Sequence, residues 1–238
     1  MKAMILAAGL GTRLKPWTDH HPKALAVVND KSLLQRNIEY LQQFGIKDVI
    51  VNVHHFADQI IKTINVNNGW GSTVTISDET NEVLETGGGL KKAAWYFKEE
   101  KDFVLMNVDI LTDLNLSAII QQHQNSAAIA TLAVSERTTS RYFLFNNSNE
   151  LCGWKNVTTG EEKIVKESLE LQQKAFSGLH IISTSLFDHL AQTGKFSMVD
   201  VYLDVAKDHF VQCFDHSESQ FIDVGKPESI EKAERMFN

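Results

Sequence analysis

Short apolar runs alternate along the chain with stretches whose apolar residues recur every three or four positions. Residues 3–8 are an apolar run of the kind that forms a strand buried on both faces. Residues 24–28 fit a short extended segment before the turn at Asn29 and Asp30. Ser32 with Gln35 three residues on makes a capping box, Leu34, Ile38 and Leu41 keep helical spacing, and Gly45 supplies the stop. A strand over 47–53, a helix through Ile60, Ile61 and Ile64, and a strand over 74–78 follow. Leu90, Ala94 and Phe97 mark the next helix, 103–109 the next strand, and Leu116, Ile119 and Ile120 the helix over 115–125. Beyond a strand at 127–135, residues 142–154 read as a hairpin around Asn146 to Asn149. A return strand over 175–182, helices at 186–191 and 198–209, strands at 211–214 and near 221, and a helix opened by Pro227 complete the chain. This alternation predicts a mostly parallel sheet with helices on both faces, and the hairpin predicts a small antiparallel lid or platform beside the site. In such sheets ligands collect at the carboxyl ends of the strands, which points to the loop after residue 8.

The 238 residues, 43% of them apolar, suffice for one substantial core and make a second full domain unexpected. No stretch approaches the roughly 20 apolar residues that span a bilayer, and the opening run meets Gly9 and Arg13 too soon for a signal peptide. A cytoplasmic protein with no membrane partner is expected. Cys152 and Cys213 lack any metal or disulfide spacing and read as reduced structural thiols. The formal charge of −7 argues against nucleic acid as a partner. Its distribution matters more, because Lys2, Arg13, Lys15 and Lys23 face only Asp19 among the first 23 residues. A basic island on an acidic chain suits a small polyanion.

The island carries the chemistry. Gly9-Leu10-Gly11 follows the first strand, where missing Cβ atoms let backbone N–H groups approach a ligand, and Arg13 and Lys23 are the side chains suited to phosphate oxygens. A dinucleotide fingerprint would need glycine where Leu14 stands, which disfavours a dinucleotide-dependent oxidoreductase, and the Walker A continuation is missing. What remains is Leu6-Ala-Ala-Gly-x-Gly-Thr-Arg-Leu-x-Pro-x-Thr with Pro22-Lys23 further on. This pattern resembles the N-terminal signature of the sugar-1-phosphate nucleotidyltransferases, which join a nucleoside triphosphate to a sugar 1-phosphate and release pyrophosphate.

The resemblance implies an α/β, single-domain Rossmann-like three-layer sandwich over residues 1–238, with a mostly parallel mixed sheet, no room for a C-terminal β-helix, and a monomer or small homo-oligomer. It implies nucleotide contacts at Leu6, Ala7, Ala8, Gly9, Gly11 and Thr12, and catalytic charges on Arg13 and Lys23. In Leu84-Glu85-Thr86-Gly87-Gly88-Gly89, glycines placed ahead of a helix read as a loop whose backbone touches a flat ligand. By resemblance Gly87 and Gly88 meet the nucleotide, and Glu85 and Thr86 the sugar. The form of this stretch is similar to uridylyltransferases for N-acetylmuramate 1-phosphate and to mannose- or heptose-1-phosphate guanylyltransferases, and leaves the base open. Asp109, at the end of an apolar strand, either caps a turn or binds a ligand, and the resemblance makes it a Mg²⁺ carboxylate with Asp223 of Phe221-Ile-Asp-Val-Gly as the second. Val108 departs from the family, which commonly has glycine there. Ser177 and Gly178 are implied sugar neighbours, while His180 reads as packed. A lysine for the sugar phosphate is expected among Lys155, Lys163 and Lys166, without a choice between them, since the usual Glu-Lys-Pro context is absent. His54-His55 has no third ligand nearby and reads as a hydrogen-bonded or solvated loop. The competing functions are a CTP-dependent cytidylyltransferase for a phosphocholine-like phosphate and a non-catalytic nucleotide-sugar-binding relative.

Overall fold

In the computed structural model, which describes residues 1–237, the first apolar run becomes β1 (Ala3–Leu6), buried throughout. Single 3-10 turns at Thr12–Leu14, Trp17–Asp19 and Lys23–Leu25 carry the chain past the basic island. The segment expected to be extended is so only at its end, in the small ribbon of β2 (Val27–Val28) and β3 (Lys31–Ser32). α1 (Leu33–Gln43) starts where the Ser32 side chain accepts from the Gln35 N–H at 3.1 Å. The Gln35 side chain turns to Glu39 at 2.8 Å instead of back to the cap, so half of the capping box forms. At the far end Gly45, with φ +76, donates to the Gln42 carbonyl while Ile46 donates to Leu41.

β4 (Asp48–Val53), α2 (Ala57–Val66), β5 (Thr73–Asp78) and α3 (Glu85–Lys92) follow. Then come β6 (Asp102–Asn107), β7 (Ile110–Thr112), α4 (Leu116–Gln124) and β8 (Ala130–Ser135). The hairpin is β9 (Arg141–Phe145) and β10 (Leu151–Asn156), extended by β11 (Glu162–Ile164). β12 (Gln172–Ser183), α5 (Met198–Val205), β13 (Val211–Asp215), β14 (Phe221–Asp223) and α6 (Pro227–Met236) complete the fold. The stretch expected as a helix over 186–191 is a 3-10 segment, Thr184–His189. Among the described residues no helix is long and apolar enough to cross a membrane.

β5-β4-β1-β6 form a parallel set, with Met4 of β1 opposite Ile50 and Leu105. β12 runs antiparallel to β6, and its other edge is shared by β9 at residues 172–174 and β8 at 175–182. The expected antiparallel region is therefore a continuation of the main sheet. Alternate residues of β1 feed the two cores: Met4 and Leu6 join Phe97, Phe103 and Tyr202 on one face, and Ala3 and Ile5 join Ile38, Leu41 and Ile60 on the other. Chain order reverses between β1 and β6, so the crevice beyond their carboxyl ends is the topological switch point.

Candidate functional site

A cavity of about 510 Å³ opens at that crevice. Its wall includes Leu6 at the end of β1, Ala8, Gly9, Gly11, Thr12 and Arg13 from the segment after it, Lys23, and Asn107 at the end of β6 with Val108 and Asp109 beyond it. Glu85 and Thr86 from the start of α3 complete the expected part. Gly11 is glycine for two reasons, a φ of +62 and a Cβ position that would lie 2.9 Å from Thr18 Cγ2 and 3.0 Å from Lys23 Cβ. Around Gly9 nothing lies within 4 Å of a Cβ, which leaves that backbone open to a ligand. The root of the loop is pinned from behind. Ala7 N–H donates to Asn52 Oδ1 at 2.7 Å, and Asn52 Nδ2 donates to Glu79 Oε1 at 2.8 Å. Ala7 thus spends its N–H on the protein and lies behind the wall. Glu79, 1% exposed, has Oε2 without a partner, and burial pushes its carboxyl above the ordinary carboxylate value.

Asp109 and Asp223 are brought together by the small β14–β7 ribbon, which registers Asp223 against Ile110 and lets Val224 N–H donate to the Asp109 carbonyl at 2.8 Å. Each carboxylate faces one cation of the basic island. Lys23, 9% exposed, is ion-paired with Asp109, and Arg13 Nη2 stands 3.5 Å from Asp223 Oδ2. The second oxygen of Asp223, Oδ1, is buried with no hydrogen-bond partner. Of the two expected metal carboxylates, Asp109 lines the cavity and Asp223 stands outside its wall; the unpartnered Oδ1 of Asp223 is the kind of oxygen that a hard divalent cation takes. No group of three or more His, Cys, Asp or Glu among the described residues is placed to hold one, so substrate oxygens would complete the shell. Val108 is 5% exposed within the apolar cluster, and its carbonyl accepts from Asn37 Nδ2 at 2.8 Å.

The glycines of residues 87–89 form no loop: they lie inside α3, buried. A Cβ on Gly87 would sit 2.5 Å from the Phe196 ring, on Gly88 2.3 Å from the Gly194 carbonyl oxygen, and on Gly89 2.7 Å from Glu79 Oε1. Their missing side chains admit protein neighbours, and Gly87 and Gly88 stand behind the cavity wall. Ser177 and Gly178 are also outside the wall. Ser177 Oγ bonds His216 Nε2 at 2.7 Å, and Gly178, with φ +73, leaves no room for a Cβ, which would lie 2.7 Å from Asn107 Nδ2. His180 is packed, with Nδ1 on the Tyr202 hydroxyl, and burial pulls its imidazole down to about 3. Lys155, Lys163 and Lys166 pair with Glu162, Asp200 and Glu150, and none reaches the wall. His54 Nδ1 bonds the Glu79 carbonyl at 2.7 Å, as suits a hydrogen-bonded loop.

Asn52, Gly225, Lys195 and Ser197 also line the cavity and are not among the residues that the sequence singles out. Gly225 directly follows the Asp223-Val224 signature, which is the available signal. Ser197 caps α5, accepting from the Val199 N–H, but a cap signals a helix start and not what the preceding segment faces.

The family model described as nucleotidyl transferase matches residues 2–237. The chain is 31% identical to N-acetylmuramate alpha-1-phosphate uridylyltransferase of Caulobacter vibrioides, over 98% of this chain and 95% of that protein. It is 31% identical to D-glycero-alpha-D-manno-heptose 1-phosphate guanylyltransferase of Campylobacter jejuni, over 96% of each. The crystal structure of HddC from Yersinia pseudotuberculosis complexed with GMP-PN aligns with a TM-score of 0.79 and 26% identity, covering 100% of this chain and 99% of that one. A match that runs from residue 2 to residue 237, over a site assembled from the first and last signatures of the chain, is decisive: this chain belongs to the nucleotidyl transferase family.

Proposed function

We propose that the chain transfers a nucleotidyl group from a nucleoside triphosphate to a sugar 1-phosphate, giving a nucleotide sugar and pyrophosphate. The observation that carries this reading is a cavity lined by Lys23, Arg13 and Asp109, with Lys23 ion-paired to Asp109 and Arg13 reaching a second carboxylate, Asp223, just behind the wall. The acceptor phosphate oxygen forms the new bond to the α-phosphorus as the bond from that phosphorus to the bridging oxygen breaks, and the electron pair leaves on pyrophosphate. A phosphate is already an anion at neutral pH, so no general base is needed and the protein contributes position and charge. Lys23 serves the α- and acceptor phosphates, and Arg13 the departing pyrophosphate. The backbone at Leu6, Ala8, Gly9, Gly11 and Thr12 holds the nucleotide, and Glu85 and Thr86 face the sugar. Mg²⁺, held by Asp109 and Asp223, would supply charge neutralisation at the phosphates.

Two of the relatives are named for uridylyl and guanylyl transfer to N-acetylmuramate and heptose 1-phosphates, which supports UTP or GTP as the donor and a hexose- or heptose-type 1-phosphate as the acceptor. The test is pyrophosphate release with Mg²⁺ from UTP, GTP, CTP, ATP and dTTP against N-acetylmuramate, glucose, mannose and heptose 1-phosphates, with phosphocholine alongside as the rival acceptor. Release from UTP or GTP with one of these acceptors is expected. Release only from CTP with phosphocholine, or binding of a nucleotide sugar without any turnover, would overturn the reading.

A further inference from the structure

Residues 192–197, between the 3-10 segment and α5, are fastened along α3. Gly87 N–H donates to the Phe196 carbonyl at 2.9 Å, Phe196 N–H to the Leu84 carbonyl at 3.2 Å, and Met198 N–H to Thr86 Oγ1 at 2.9 Å. Lys91 Nζ donates to the Leu190 and Gln192 carbonyls at 2.7 and 2.6 Å. This places Lys195 and Ser197 in the cavity wall beside Glu85 and Thr86, with Lys195 Nζ 3.5 Å from Glu85 Oε1. Glu85 adopts φ +57, a left-handed conformation that a residue with a Cβ takes at a cost and that is often met at ligand sites.

We infer that Lys195, acting with Glu85, is a specificity-determining residue for the acceptor, the ammonium donating to and the carboxylate accepting from hydroxyl groups of the sugar ring. The inference rests on the reading that the acceptor is a sugar 1-phosphate. Its support is the chemistry of this part of the wall. Arg13 and Lys23, on the segment after β1, already provide for phosphate, and their carboxylate partners are the two proposed to hold Mg²⁺, whereas Lys195 is paired with Glu85, a carboxylate with no such role. A hydroxyl both donates and accepts and can therefore engage the two members of the pair together. The hydroxyls of Thr86 and Ser197 complete a polar patch without an aromatic ring, while Leu6, Ala8 and Leu10 provide the apolar surface that a base requires. The side chains of Lys195 and Glu85 are 57% and 46% exposed, a wet rim suited to a polyol.

The test is steady-state pyrophosphate release by the Lys195→Met and Lys195→Arg variants, with the surface variant Lys207→Met as control, using whichever pair from the panel above the unmodified protein turns over fastest. The KM for the sugar 1-phosphate should rise about tenfold in Lys195→Met, the size expected when one charge-assisted hydrogen bond is lost at a partly exposed site. The KM for the nucleotide should stay within about twofold, Lys195→Arg should recover part of the loss, and Lys207→Met should match the unmodified protein. In a series of acceptors each lacking one ring hydroxyl, one compound should give the unmodified protein and the Lys195→Met variant the same KM, because the contact that distinguishes them is then missing from both. A rise in the nucleotide KM instead, or no change in either, overturns the inference and leaves the transferase reading standing. Silence of the unmodified protein across the whole panel sinks both.

Discussion

Gly88→Ala tests the contact on which the wall of the cavity depends. In an exposed helix the exchange favours alanine by about 1 kcal/mol, because glycine loses more backbone entropy on folding. Inside α3 the new Cβ would stand 2.3 Å from the carbonyl oxygen of Gly194 and 3.0 Å from Leu84 Cβ. The nearest obstacle is backbone, so no side chain can swing away to make room. Overpacking of a fitted interior costs roughly 1–3 kcal/mol, and a clash this short against a carbonyl belongs at the upper end. Overpacking therefore wins over propensity, with a net loss of about 2 kcal/mol. For a chain of this size that lowers the melting temperature by roughly 4–8 °C, measured by circular dichroism on both proteins in parallel. The same displacement shifts residues 192–197, so the KM for the sugar 1-phosphate should rise as well. A melting temperature at or above that of the unmodified protein would show that helix propensity prevails and that residues 192–197 do not pack against α3 as described.

Removing the carboxylate in Asp109→Ala, or its charge in Asp223→Asn, should lower turnover by about 10²-fold or more while the fold survives, on the scale of about 3 kcal/mol for a transition-state charge contact; near-normal turnover would refute their assignment. Chelating divalent cations should abolish pyrophosphate release and added Mg²⁺ should restore it, whereas full activity in excess chelator would refute the need for a metal. Burial raises the Glu79 carboxyl above its unfolded value, so its neutral form stabilises the fold at low pH and that contribution is lost as pH rises through the folded value. The stability of Glu79→Gln relative to the unmodified protein should accordingly increase as pH is raised from the ordinary carboxylate range toward neutrality, and a difference independent of pH in denaturant melts would refute the burial argument.

The elements most legible in the sequence are those whose pattern has a single physical cause. An unbroken run such as residues 3–8 has to be buried on both faces, and β1 is, with alternate residues in two cores. Ser32 and Gly45 bracket α1 because a cap and a left-handed stop act locally, through bonds to residues a few positions away. The loop after β1 is legible for a related reason: Gly9, Gly11, Arg13 and Lys23 are close in sequence and need only one strand to support them.

The same locality explains what stays hidden. Three successive glycines look alike whether their missing Cβ atoms face a ligand or a neighbouring chain segment, and only the fold shows Phe196, Gly194 and Glu79 in that space. Asn52 sits inside an ordinary alternation of branched residues, yet its amide joins Ala7, 45 positions away, to Glu79. Lys195 has no distinguishing neighbours and becomes part of the wall through bonds that span about a hundred positions, such as Gly87 to Phe196. Phosphate chemistry is local because one loop can wrap a phosphate, whereas the groups around a sugar come from several elements at once. On the proposed reading, acceptor recognition is therefore the part that depends most on tertiary packing, and substitutions that shift α3 against residues 192–197 should change the KM for the acceptor before they change the turnover assigned to Asp109 and Asp223.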